Sequence, residues 1–429
     1  MNSITLLARR ALPGCLALSL SALAGHCAAL SADGSVDALR LSGFGSLGVA
    51  HVDAPEGWVY RRELSQPLNS SSTRLDLDSR LGLQVNYTPS SAFELVGQAI
   101  LMRRASAAER TDLVEWAFAA YRPNADWTLR LGRVNMDIFL MSDHRSVGFA
   151  YPLARPPVEF YGQLPSSLDG ADATRVWNDG NAQWRAKLFS GRSKLAFNGT
   201  DKLDLRSVLG GMLSREADGL LTRVSVVQTR LTSNVPSLQP LLAGLGGLST
   251  LPVAEVATQA NELRSRLTLE NVKHTYVSFG ARYDVGGWLL GGELMRVTGS
   301  VPINVSAGYA SLARRWGPAT VFGVVSHISS GSQPVAEPAW GAALAPLVGP
   351  TGAQQAQFLG TTAALAVNGL SPRQTTWALG TRWDLGDRLA LKLQWDHIRV
   401  AASGSFLWGN AGTQATRANV GSVVLDFIF

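Results

Sequence analysis

From residue 39 to the end of the chain, apolar and polar side chains alternate almost one by one. Over Arg74 to Tyr87 the odd positions carry Leu75, Leu77, Leu81, Leu83, Val85 and Tyr87, while the even ones include Arg74, Asp76, Asp78, Arg80, Gln84 and Asn86. Successive side chains of a strand point to opposite faces, so this stretch reads as a strand with one oily and one charged face. The same period recurs in Trp127, Leu129 and Leu131 against Arg130, in Val277, Phe279, Ala281 and Tyr283 against Arg282, and in Leu389, Leu391, Leu393 and Trp395 against Lys392 and Gln394. The last ten residues repeat it, with Val423, Leu425, Phe427 and Phe429 on one parity.

Clusters of turn-forming residues punctuate the pattern at 88–91, 122–126, 179–181, 215–219, 284–287, 315–318 and 384–387. Counting outward from these turns predicts sixteen strands, at 39–51, 74–87, 92–104, 112–121, 127–134, 171–178, 182–190, 203–214, 219–231, 273–284, 288–298, 304–314, 319–328, 374–384, 388–398 and 419–429. The intervening connections 53–73, 134–170, 232–272 and 329–373 are long. Helical spacing of Val253, Val256, Ala257, Ala260 and Leu263 predicts helix in the third of these, and Ala- and Gln-rich 351–366 predicts it in the fourth, both as caps over a mouth.

Short turns at one end and long loops at the other are the pattern of an antiparallel up-and-down transmembrane barrel. Tyr87, Phe93, Trp127, Trp184, Tyr283, Trp288 and Trp383 fall on the apolar parity close to short turns, where an interfacial aromatic girdle belongs. Lipid satisfies no backbone N–H or C=O group, so such a sheet has to close on itself. A soluble sandwich would need a wholly apolar core face, whereas here Arg, Asp, Glu and Gln recur on the second parity of nearly every strand. The predicted fold class is therefore all-β, a closed barrel of about 16 strands with short periplasmic turns and long extracellular loops.

Charge and cysteine usage narrow the function. Arg9 and Arg10 followed by apolar residues 12–23 read as a Sec-type signal peptide, with cleavage after Ala24 or Ala29, which leaves a barrel domain at 30–429. The only cysteines, Cys15 and Cys27, lie in that leader, so no disulfide is expected. Losing Arg9 and Arg10 lowers the formal charge from +6 to +4. The arginines are spread singly along strands rather than clustered, which argues against a nucleic-acid partner.

The stretches Leu41–Gly45, Asp78–Gln84, Glu115–Phe118, Leu129–Arg133 and Phe427–Phe429 resemble those of the Gram-negative general porins of the outer membrane. The resemblance runs through the whole mature chain and is strongest in the first five strands and the last. It implies a homotrimer of barrels in contact with membrane lipid and lipopolysaccharide, each pore narrowed by a third loop folded inward. It also implies that Val423, Leu425, Phe427 and Phe429 form the signal read by the barrel assembly machinery. Carried over by position, it places Arg40, Arg80, Arg130 and Arg133 on a basic wall of the constriction, faced by Asp137 and Asp143 of the third loop. The chain departs from the family at Tyr151–Pro157, which lacks an acidic Pro-Glu-Phe-Gly stretch, and in a short second loop at 105–111.

The expected function is a passive, water-filled channel for ions and small hydrophilic solutes, with no cofactor, no metal and no enzymatic activity. Two alternatives stay open. A channel selective for anionic solutes would use Arg175, Arg185, Lys187, Arg206, Arg223, Arg282, Arg314, Arg382 and Lys392 as a lumen path. An adhesin or receptor would use the long loops. Asp143-His144 and Asp396-His397 are adjacent pairs that would point to opposite sides of a strand, and His327 and Ser329 share a parity near a strand end, an arrangement ordinary for that position.

Overall fold

A computed structural model describes residues 39–104, 113–198, 201–299, 304–331, 333–409 and 412–429, so the expected leader and the second loop lie outside the described residues. Among them the chain forms one antiparallel sheet of sixteen long strands and one two-residue strand. These are β1 (Leu39–Asp53), β2 (Thr73–Arg74), β3 (Arg80–Ser90), β4 (Phe93–Leu101), β5 (Val114–Tyr121), β6 (Trp127–Asn135), β7 (Ser167–Asp179), β8 (Ala182–Asn198), β9 (Asp201–Ala217), β10 (Leu220–Asn234), β11 (Val272–Val285), β12 (Trp288–Gly299), β13 (Val305–Trp316), β14 (Ala319–Ser330), β15 (Pro372–Gly386), β16 (Leu389–Ser405) and β17 (Thr416–Ile428). Each long strand pairs with its neighbours in sequence, and β17 pairs with β1 from Phe44↔Ile428 to Asp53↔Asn419. The sheet is therefore a closed barrel, and every predicted strand has its counterpart.

The barrel is inside out relative to a soluble protein. Lys187 is 1% exposed beside Leu188 at 68%, and Glu293 is 2% exposed beside Leu294 at 65%. Apolar side chains that face outward make sense only in lipid. Among the described residues no helix is long and apolar enough to cross a membrane, so the crossing is made by strands. Tight hairpins set the register at the turn end. Asp218 and Gly219 both take positive φ (52° and 79°), and Gly286 and Gly287 do the same (55° and 82°), as a two-residue turn between twisted strands requires.

The aromatic belt is present, and it holds more than the predicted rings. Tyr87, Phe93, Trp127, Tyr283 and Trp288 are exposed, joined by Tyr121 and Trp316. Arg175 lies over Trp127 and Trp177 (5.8 and 5.5 Å), Arg215 over Trp184 (5.9 Å) and Arg314 over Trp288 (4.9 Å). Arg175 and Arg314 thus belong to the outer girdle and not to a lumen path, because a guanidinium at the interface can stack on an indole while reaching headgroups.

The second predicted strand, 74–87, is interrupted. Only Thr73 and Arg74 pair with β1, and the ladder resumes at Arg80. Gln66 of the first loop donates to the carbonyls of Asp76 and Leu77 (3.0 and 3.1 Å), which draws this backbone out of the sheet and turns Leu77, expected toward lipid, into the core.

The helical caps are α1 (Val158–Tyr161) within the third loop, α2 (Gln239–Leu248), α3 (Ala254–Leu267) and α4 (Trp340–Gly369). Helix α3 covers the predicted helix, and α4 contains the second; α2 was not expected. Helix α4 is kinked at Gly349, whose φ of 70° precedes Pro350. Leu245, Val256, Ala260, Leu263, Trp340, Leu344, Ala356 and Ala363 join the three long helices in a core of their own.

Phe429 extends the β1–β17 closure by one more pair. Phe429 exchanges two backbone hydrogen bonds with Gly43, both 2.9 Å, and its ring covers the position where Gly43 lacks a Cβ. A Cβ there would lie 2.2 Å from the ring. At about 1 kcal/mol per hydrogen bond, deleting Phe429 should cost the folded barrel about 2 kcal/mol before the ring contact is counted. Gly43→Val should likewise lower the temperature at which the unheated band shifts on a denaturing gel, whereas Gly97→Val, on open outer surface, should not.

Candidate functional site: the lumen and its third loop

The third loop, residues 136–166, enters the barrel and is fastened to the wall along its length. In its first stretch Asp137 is fully buried and paired with Arg223 (2.6 Å), Arg185 (3.2 Å) and Lys187 (3.7 Å). Arg223 also donates to the Phe139 carbonyl, Ser278 to that of Ile138 (3.0 Å), and the Leu140 N–H donates to Glu293 (2.8 Å). The Glu293 carboxylate accepts from the hydroxyls of Tyr161 and Tyr309 as well.

The middle stretch lies against the opposite wall. Arg80 donates to the Ser146 carbonyl (2.6 Å) and the Tyr151 hydroxyl (3.1 Å), and Arg382 to the Phe149 carbonyl (2.5 Å). Lys392 reaches the carbonyls of Gly148 (2.6 Å) and Leu153 (2.8 Å) and pairs with Asp426 (2.7 Å). Arg155 then bridges Asp78 (2.7 Å) and Asp396 (2.5 Å). Arg80, Lys392, Arg155, Asp78, Asp396 and Asp426 are almost completely buried, and Lys392 and Arg155 each meet a carboxylate within hydrogen-bond reach, as burial demands.

Comparison with known proteins bears on this geometry. No family model matches the sequence, and no curated protein matches it. Solved structures do match in fold. The anion-selective porin of Comamonas acidovorans aligns over 91% of this chain and 99% of its own, with 12% identity and a TM-score of 0.50. OmpF of Salmonella typhi, solved with daunomycin, aligns over 91% and 97% with 11% identity and a TM-score of 0.50. The outer membrane channel DcaP of Acinetobacter baumannii aligns over 93% and 100% with 9% identity and a TM-score of 0.51. The fold is that of the sixteen-stranded porins.

Within this porin fold the predicted constriction residues are placed as follows. Arg40 is exposed at the turn end of β1, opposite Asn86. Arg80 is spent on the third loop, as above. Arg130 is held by Asp172 (2.6 Å) and Asn135 (2.7 Å), and lies over the Phe118 ring (4.9 Å). Arg133 is on the other parity, level with Leu131, and pairs with Asp169 directly across on β7 (2.7 Å). Asp143 accepts from Asn135 and lies 3.5 Å from Arg185. The expected row of Arg40, Arg80, Arg130 and Arg133 facing Asp137 and Asp143 is thus replaced by cross-wall pairs, with Arg185, Lys187 and Arg223 as the partners of Asp137.

Asp143 and His144 lie in a turn of the third loop, whereas Asp396 and His397 separate as their parity requires. Asp396 takes Arg155 inside, while His397 meets Asn419 (3.0 Å) and the rings of Trp377 and Trp395 outside. His327 bonds the Thr375 hydroxyl (2.8 Å) rather than Ser329.

Sequence reasoning passed over Glu159. It sits in Pro157-Val158-Glu159-Phe160-Tyr161-Gly162, an interrupted version of the Pro-Glu-Phe-Gly stretch sought a few residues earlier. Its buried carboxylate accepts from Ser326 and Gln374 (both 2.6 Å) and from Thr376, so it anchors α1 to β14 and β15.

The lumen also changes character along its axis. Toward the turns it is polar, with Gln98, Gln84, Asn86, Glu94 and Arg122 hydrogen-bonded in a chain from 2.5 to 2.8 Å. Toward the loops the inward parity becomes apolar, with Val227, Leu231, Tyr276, Met295, Val305, Ile328, Ile398 and Val420 packed with Phe139, Phe160 and Trp408. The charged inward face read from the sequence therefore gives way to an apolar one at the loop ends of β10 to β17, while Arg74, Arg104 and Glu115 keep charge near the loop ends of β2 to β5.

Arg155→Met should leave two buried carboxylates uncompensated, costing about 3–5 kcal/mol. The expected result is a lower denaturation midpoint together with larger and noisier single-channel current as the third loop detaches. Adding Asp78→Asn and Asp396→Asn should restore most of the stability.

Proposed function

We propose that this protein is a passive outer-membrane channel through which ions and small hydrophilic solutes diffuse, and that no catalysis accompanies passage. The observation that carries the proposal is the third loop: it lies inside a closed barrel and is fixed to the wall by buried ion pairs, which narrows a pore without depending on a moving part. The polar chain from Gln84 to Arg122 offers the hydrogen-bonding surface that hydrated solutes need.

The channel functions as a homotrimer in this proposal, and its lipid neighbours include lipopolysaccharide. Small outward residues on β5 to β7, Ala119, Ala171 and Ala173, border a shallow depression between Phe93 and Leu188 that would let a second barrel approach. The strand Val423, Leu425, Phe427 and Phe429 serves as the assembly signal.

Charge pairing sets the expected selectivity. Arg130 with Asp172, Arg155 with Asp78 and Asp396, Lys392 with Asp426, and Arg223 with Asp137 leave little net field from the mid-lumen. Under a tenfold salt gradient in a planar bilayer, the reversal potential should stay far below the ~59 mV of an ideally selective pore. A value near that limit with anions preferred would favour the anion-selective alternative. A protein that inserts and never conducts would overturn the proposal in favour of the receptor reading.

A further inference from the structure

Between the third loop and the helical cap lies a chamber of about 390 Å³, within the size range of small-molecule sites. Its floor is Met136, Ile138 and Leu164; its roof includes Leu267 and Leu370; Val208, Val227 and Met295 stand on its walls. Among the described residues no Asp or Glu lines it. Polar soluble cargo has nothing to gain from such a surface, which differs from the turn-side half of the same lumen.

One cation faces the chamber without a counter-charge. Arg61, on the first loop, is 8% exposed and makes no ion pair among the described residues. Its guanidinium reaches three backbone carbonyls, of Leu64 (3.5 Å), Phe406 (3.3 Å) and Trp408 (3.5 Å), all at the long limit of a hydrogen bond. Among the described residues its Nε has no hydrogen-bond partner, and neither has Nε2 of His274, another residue of the chamber lining. Burial lowers the Arg61 pKa to about 10, so the group stays charged at neutral pH. The other lining arginine, Arg266, is already paired with Glu262 (2.7 Å). An uncompensated buried charge costs several kcal/mol, and a carboxylate set against the guanidinium fork is the ligand that cancels it best.

We infer that the chamber is a binding site for apolar monocarboxylates, such as medium-chain fatty acids, with the carboxylate on Arg61 and the hydrocarbon among Val208, Val227 and Met295. The chamber's volume lies in the range of sites that enclose small organic ligands, which accommodates a medium-length acyl chain such as a ten-carbon acid. The site goes beyond passive diffusion of hydrophilic solutes and does not depend on it, because binding can be read without any current.

The test is calorimetric titration of decanoate, at pH 8, into the full protein in phosphatidylcholine nanodiscs, with empty nanodiscs subtracted and decanol as the neutral probe. Saturable decanoate binding, at least tenfold tighter than decanol, is expected. Arg61→Gln should weaken decanoate at least tenfold and leave decanol within twofold, while Arg61→Lys retains part of the preference. Val208→Phe, which fills the chamber and keeps Arg61, should weaken both probes. No binding beyond empty nanodiscs, equal binding of the two probes, or wild-type decanoate affinity in a folded Arg61→Gln protein would overturn the inference. Bilayer conductance of the same preparations reads the channel proposal separately.

Discussion

Buried charge inside the barrel has to be cancelled, and the rest of the structure follows from how that is done. Strands facing lipid on one side must carry their polar residues on the other, and a narrow lumen removes many of those residues from water. Lys187, Lys392, Glu293, Asp396 and Asp426 are all 2% exposed or less. Their partners come partly from neighbouring strands and partly from the third loop, whose carbonyls and whose Asp137 and Arg155 complete the pairs. The loop is thus a counter-ion to the wall as much as a constriction. Taking it away would leave charges that the barrel cannot hydrate cheaply.

The same requirement explains why the outside is simple and the inside is not. Outside, lipid imposes one rule on every strand, and the result is the unbroken parity of Leu81, Leu83 and Val85 or Leu389, Leu391 and Leu393. That is why strand number, pairing order and the position of β17 beside β1 were all legible in the sequence. Helix α3 was legible too, because Val256, Ala260 and Leu263 repeat at helical spacing on the face that packs into the cap.

Inside, each residue answers to a partner far away in the chain, and alternation carries no information about which. Arg130 and Arg133 are three residues apart and lie on opposite faces, one bound to Asp172 and the other to Asp169. Arg175 and Arg314 looked like lumen residues by charge, yet interfacial indoles hold them outside. Leu77 left the lipid parity because Gln66 captured its backbone. The apolar loop-side lumen was hidden for a related reason. Tyr276 and Met295 share the parity of charged residues nearer the turns, and only the loops folded against them reveal that this face is apolar.

Pore size, wall charge and stability all depend on the third loop being docked to the wall in the conducting protein. Gly148 offers a direct test: a Cβ built there would lie 2.8 Å from Ser46 Oγ and overlap the Asp426 carboxylate, so Ser46→Cys and Gly148→Cys, with Asp426→Ala to clear the space, put two thiols within disulfide reach in a barrel whose only natural cysteines, Cys15 and Cys27, precede it. Single-channel current would be recorded before and after reduction of that bond. The docked loop predicts that the disulfide forms readily in the folded barrel and that the open current is the same in both states. Failure of the bond to form in folded protein, or a current that changes when it is reduced, would contradict it.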